Sequence, residues 1–255
     1  PFFSPFLFTI ISNFLISCII YYMDILKKLK NNIIISLQAM ADEPLHNEIC
    51  INALAQSLVE LGGVSALRLA GERDIKNIKS KYRGVVVIGI TKPDRIPDNY
   101  QELVYITPRI EDCKKIINAG ADIVAFDATL RKRPDNEKLE DLINYIKSEN
   151  KLAMADIATF EEAKNAVLLG CDIVSTTLSG YTIETKNNPQ TPDFELVSRI
   201  KKELDVFTIL EGKIWEQQEV KKAFKVGADA VVIGSAVTRP QLIAKRFIET
   251  TKGLQ

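Results

Sequence analysis

A single-domain (β/α)8 TIM barrel is the fold this sequence predicts, and four observations predict it. From Met23 onward, short apolar strands alternate with amphipathic helical patterns in units of about 25–30 residues. The strands show no polar alternation, which suits a parallel sheet covered on both faces. A signature also recurs three times: Gly120-Ala-Asp-Ile-Val124, Gly170-Cys-Asp-Ile-Val174 and Gly227-Ala-Asp-Ala-Val231. Each reads as a glycine closing a helix, one spacer, an aspartate and a buried strand. Finally, residues 207–240 read as strand, glycine turn, helix, strand, glycine turn and helix start, which is how such a barrel closes. A doubly wound open sheet is the alternative, but no G-x-G-x-x-G follows the first strand.

The elements follow in order. Strand one is expected at 32–38, followed by an amphipathic helix at 47–61 that ends on Gly62-Gly63. Strand two is expected at 66–69, a short helix at 74–81, and the β-branched strand three at 85–90. A short additional strand around 104–106 is expected in the loop that follows. Pro108 and Arg109 open a helix that stops at Gly120. The three Gly-x-Asp signatures then mark entry to strands four, six and eight, with strand five at 152–155 and strand seven at 208–210.

Length and composition agree with one globular domain. The chain has 255 residues, 46% hydrophobic and 26% charged, with a formal net charge of zero. Without a basic run, nucleic acid is not an expected partner. Cys18, Cys50, Cys113 and Cys171 are scattered, and with the single His46 they make no metal-ligating cluster. That pattern fits a reducing cytoplasm better than a disulfide framework. Residues 1–22 form an uncharged apolar leader, long enough to span a bilayer but lacking the basic start of a signal peptide. Met23 is read as the working start and 23–255 as the catalytic barrel. The leader is read as upstream translation or a fragment artefact, with a membrane anchor as the alternative, and a membrane partner is not expected.

In this fold chemistry gathers at the C-terminal ends of the strands. Those positions hold Gln38, Arg68, Lys92, Asp127, Asp156, Thr176-Thr177, Glu211 and Gly234-Ser235. The set contains cations, carboxylates and hydroxyl or amide donors, but no His and no Cys. It suits an anionic, hydroxyl-rich substrate and proton transfer. Lys92 is the chemical candidate: desolvation and Arg68 would lower its pKa toward that of a general base or imine former, while Glu211 would oppose them. Gly212, Gly234 and Ser235 let backbone approach a phosphate, with Arg239 beside it. Asp127 could bond sugar hydroxyls or fix Arg131 or Arg133, and Asp156 could bond a substrate hydroxyl or Lys92. His46 is either structural or catalytic. Residues 179–182 end the sixth loop as a candidate mobile lid, in which Tyr181 could instead merely pack.

The motifs QAMADEPLH, LRLAG, VIGITK, YITP, DIVAFDATLRKRPD, MADIATFEEA, DIVSTTLSGYT, PDFELV, EGKI and VVIGSAVTRPQLIAKRF lie in collinear order from about Met23 to the C-terminus. Together they resemble the N-acetylmannosamine-6-phosphate 2-epimerases. The resemblance implies a cytoplasmic (β/α)8 isomerase of sialic acid and amino sugar catabolism. Such an enzyme interconverts N-acetylmannosamine 6-phosphate and N-acetylglucosamine 6-phosphate without metal or other cofactor, as a homodimer. It implies Lys92 and Glu211 as the catalytic pair. Substrate binding would fall to Gln38, Arg68, Asp156 and Arg239, and the phosphate to Gly212, Gly234 and Ser235. Pro93 departs from the family, which usually carries a basic residue after the lysine, and the leader has no counterpart there. Two other readings compete: a phosphate-binding barrel aldolase or lyase using Lys92 as an imine, and a membrane-tethered sugar-phosphate binding protein without activity.

Overall fold

The computed structural model describes residues 20–252; most of the 1–22 leader lies outside the described residues. Eight parallel strands close on themselves in sequence order: β1 (Asn32–Leu37), β2 (Ala66–Ala70), β3 (Val86–Ile90), β4 (Ile123–Asp127), β5 (Leu152–Asp156), β6 (Ile173–Ser175), β7 (Phe207–Glu211) and β8 (Ala230–Ile233). Closure comes from β1 on β8, with Asn32 opposite Ala230 and Ile35 opposite Ile233. The closed barrel excludes the doubly wound sheet.

Helix 20–29, here α1, precedes β1. Between the strands lie α2 (Glu48–Gln56, extended by π-type turns over Ser57–Leu61), α3 (Glu72–Lys81), α4 (Ile110–Asn118), α5 (Leu139–Ser148), α6 (Phe160–Leu168), α7 (Phe194–Glu203) and α8 (Gln217–Lys225). After β8 come the short α9 (Ser235–Thr238) and α10 (Pro240–Glu249). Local capping sets several starts. Asn47 accepts from the Cys50 amide at 2.8 Å, Asp193 from Leu196, and Thr159 with Glu162 forms a reciprocal box at α6.

Strand side chains alternate between two environments. Leu67, Leu69, Val87, Val124, Phe126, Ala153, Val174, Leu210 and Val231 point outward and pack on the helices. Ile34, Ala66, Ile88, Ile123, Met154, Ile173, Ile209 and Ala230 point inward. Ile25 and Leu29 of α1 join that inner cluster and close the end of the barrel where the strands begin.

The thrice-repeated signature has a shared structural job. Gly120, Gly170 and Gly227 take φ of 104°, 93° and 104°, a region open to glycine at little cost. The aspartates that follow reach back to the neighbouring odd-numbered strand. Asp122 accepts from the Val87 amide, Asp172 from Ala153 and Asp229 from Thr208. Each also pairs with a lysine of a helix: Lys79, Lys147 and Lys201 respectively.

The additional strand expected at 104–106 is not formed. The segment is buried but irregular, and offers one backbone bond to each neighbour: Ile106 O accepts from the Asp127 amide, and the Thr107 amide donates to Thr91 O. Thr107 at φ 42° turns the chain before a ladder can extend.

Candidate functional site

Above the inward-facing apolar layers, the same parity carries the polar residues. From Ile34 it continues to Ser36 and Gln38, from Ala66 to Arg68, from Ile90 to Lys92, from Met154 to Asp156, from Ile209 to Glu211, and from Val232 to Gly234. They converge at the C-terminal ends of the strands around a cavity of about 710 Å³. Gln38, Lys92, Glu211, Gly212, Gly234, Ser235 and Arg239 line it.

Arg68 and Asp156 do not line it. They lie beneath the floor, 1% and 0% exposed, joined by two bonds of 3.0 and 2.5 Å. Arg68 Nη1 also donates to Glu211 Oε2 at 2.5 Å and to Thr177 Oγ1 at 3.3 Å. Asp156 is thus the partner of Arg68 and Thr177 rather than of Lys92. Glu211 is held at its backbone too: its amide donates to Thr176 Oγ1, and that hydroxyl donates to its carbonyl.

Burial sets the protonation of this cluster first and charge corrects it. Loss of water works against the Arg68 charge, but Asp156 and Glu211 outweigh it and hold the guanidinium above its ordinary pKa. Burial pushes the Glu211 carboxyl up, aided by Asp156 and opposed by Arg68 and Lys92. Lys92 falls to about 8, through burial and then repulsion from Arg68, with Glu211 and Asp156 pulling the other way. Its Nζ donates to Gln38 Oε1 at 2.8 Å.

Several expected contacts resolve as structural. Asp127 is fully buried and pairs with Arg131 at 2.7 Å while accepting from Thr129, so it does not face the cavity. Arg133 instead donates to Pro108 O. His46 Nδ1 lies 2.8 Å from Ala39 O, on the exposed first loop outside the cavity. The sixth loop is bound at several points: Ser179 donates to Asp193, the Gly180 amide to Thr185, and the Ile183 amide to Gln101 O. Tyr181 lines the cavity, and Lys213 Nζ bonds Pro189 O across this loop.

Sequence reasoning missed Ser36, Lys213, Trp215 and Arg246, which also line the cavity. Strand parity could have found Ser36, two residues before Gln38. Lys213 sits at φ 61° directly after Gly212, whose φ is 107°. Arg246 comes from α10, stacking 4.6 Å from the Trp215 ring centroid, and no local pattern announces that reach. Arg239 is oriented by a two-pronged pair with Glu43, both contacts 3.1 Å. Among the described residues, no group of three or more His, Cys, Asp or Glu side chains could hold a metal ion.

Residues 51–253 match the family described as "Putative N-acetylmannosamine-6-phosphate epimerase". A relative from Clostridioides difficile, called "Putative N-acetylmannosamine-6-phosphate 2-epimerase", is 44% identical over 225 residues, 88% of this chain and 97% of its own. One of the same description from Caldanaerobacter subterraneus is 43% identical over 232 residues, 90% of this chain and 95% of its own. A solved N-acetylmannosamine-6-phosphate 2-epimerase from Clostridium perfringens superposes with a TM-score of 0.82 at 40% identity, covering 89% of this chain and 96% of that one. Fold, collinear motifs and these likenesses agree, and the chain belongs to the N-acetylmannosamine-6-phosphate epimerase family.

Proposed function

We propose that this protein interconverts N-acetylmannosamine 6-phosphate and N-acetylglucosamine 6-phosphate by removing and returning the proton at C2. The observation that carries the reading is Lys92, a cavity-lining amine whose pKa falls to about 8. A base with that pKa is neutral in about one molecule in ten at pH 7, against about one in three thousand at the ordinary 10.5, and is still strong enough to take a proton activated by a neighbouring carbonyl.

The sugar ring must open before C2 becomes acidic, because only the open form places an aldehyde at C1. Glu211, with its carboxyl pKa raised, carries the proton between the ring oxygen and O1. Neutral Lys92 then takes the C2 proton, and the resulting enolate carries its charge on O1, where the Lys92 ammonium stabilises it. Return of a proton to the opposite face gives the other epimer. Arg68 and Asp156 act from below, holding the Glu211 carboxylate in place. The 6-phosphate is assigned to the turns after β7 and β8, at Gly212, Gly234 and Ser235, with Arg239 at its edge. The reading includes a cytoplasmic location, where phosphorylated sugars are retained, and a homodimer. Sedimentation of the purified protein at two concentrations tests the dimer.

Product formed from N-acetylmannosamine 6-phosphate in D₂O is expected to carry deuterium at C2, read by proton NMR. Lys92→Met is expected to abolish both turnover and exchange. A covalent substrate adduct on Lys92 after borohydride treatment would overturn proton transfer in favour of the imine lyase, which neither the site nor the relatives favour.

A further inference from the structure

A lysine side chain has four rotatable bonds, whereas proton abstraction needs its nitrogen aimed at one carbon. Two residues of the β1 inward row supply that aim. Lys92 Nζ donates to Gln38 Oε1 at 2.8 Å, and Gln38 Nε2 donates to Ser36 Oγ at 2.9 Å. The amide orientation follows from chemistry: an ammonium only donates, so the carboxamide oxygen faces Lys92 and its NH₂ faces the hydroxyl. Ser36 is itself held. It lies in register with Arg68, its carbonyl accepts from Thr238 Oγ1 at 2.9 Å, and a Cβ on Gly234 would stand only 3.4 Å from its own.

We infer that Ser36 and Gln38 are positioning residues for Lys92, a hydroxyl–amide–amine chain that fixes Nζ in the cavity rather than a grip on the sugar. The inference rests on the proposed role of Lys92 as the base. With one N–H engaged by Gln38, the neutral amine keeps its lone pair and other N–H for the cavity. Once protonated, it retains the same bond in charge-assisted form. The nitrogen therefore keeps the same aim in both protonation states. Arg68 of β2 and Arg239 after β8 oppose the ammonium, while Glu211 of β7 and Asp156 of β5 favour it. The Gln38 oxygen adds to the favourable side.

The test reads Lys92 directly and kinetically. In the first arm, folded proteins are treated with acetic anhydride across a pH series and modification of Lys92 is followed by peptide mass spectrometry. Gln38→Leu should lower the pH of half-maximal reaction and Gln38→Glu should raise it, each by about one unit, with Ser36→Ala moving it in the same direction as Leu but less. In the second arm, Gln38→Leu should cut kcat about tenfold with KM within about twofold. Equal titration midpoints in the Leu and Glu variants, or a KM that rises about tenfold at unchanged kcat, would overturn the inference. Failure of the epimerase reading looks different: the unsubstituted protein would not turn over N-acetylmannosamine 6-phosphate, while the opposed titration shifts persisted.

Discussion

Lys92 holds its place against its own stability. Its folded-state pKa of about 8 lies below the ordinary 10.5, so the unfolded chain binds the proton more readily. The resulting penalty is fully present below pH 8 and fades as pH rises toward 10.5. Lys92→Met should therefore be inactive yet more stable at pH 7, by at most about 3 kcal/mol, and the gain should shrink from pH 8 upward and be largely gone by pH 10.5; melting curves at pH 7 and pH 10.5 check this. In the unsubstituted enzyme kcat/KM should climb through pH 8, as the base loses its proton. Arg68→Met has the opposite sign. It leaves the buried Asp156 and the cavity-lining Glu211 side by side without their shared cation, and should cost about 3–5 kcal/mol by denaturant titration. Arg68, Asp156 and Glu211 were legible as residues because polar side chains break otherwise apolar strands. That Arg68 sits below the cavity was not, since a guanidinium on an inward position can reach up to substrate or across to carboxylates, and only the partners decide. Ser36 escaped notice because a lone serine in a strand carries no charge to mark it.

At the level of elements, the Gly-x-Asp repeat was read as punctuation between helix and strand, and it also acts as a clamp. Asp229 accepts from the Thr208 amide at 2.9 Å and from Lys201 at 2.8 Å, tying α7, β7 and β8 at one point. Asp229→Ala should leave the Thr208 amide unsatisfied and cost about 1–3 kcal/mol, a lower melting temperature, with kcat unchanged because the clamp lies at the far end from the cavity. Loss of activity in a protein folded at assay temperature would contradict that separation. The strands and helices were legible because short continuous apolar runs and period-3.6 patterns are local. The expected strand at 104–106 failed for a non-local reason. Ile106 there joins the inner barrel cluster, and the backbone turn at Thr107 follows from tertiary bonds that the sequence does not display.

Over the whole molecule, barrel closure was legible from the count and spacing of the units. The use made of α1 was not. Its tyrosines meet two of the clamps: Tyr21 donates to Asp122 at 2.9 Å, and Lys147 lies 5.6 Å from the Tyr22 ring centroid. Lys30, just after it, stands 4.0 Å from Asp229 of the third. A chain beginning at Met23 keeps Ile25 and Leu29 in the barrel floor, and should remain folded and fully active while losing the tyrosine contacts. We expect a melting temperature lower by a few degrees, about 1 kcal/mol, checked by calorimetry beside the assay. Aggregation or inactivity of that shortened chain would show that the preceding residues are required.

The position of α1 has a practical reading. It covers the end of the barrel where the strands begin, and the cavity opens at the end where they finish, so the two lie at opposite poles of the molecule. A tether joined upstream of Ile20 would fasten the protein to a bead or electrode by its closed pole, leaving the mouth turned toward the solution. Coupling through the amines of Lys213 or Lys92 would instead turn the mouth toward the support.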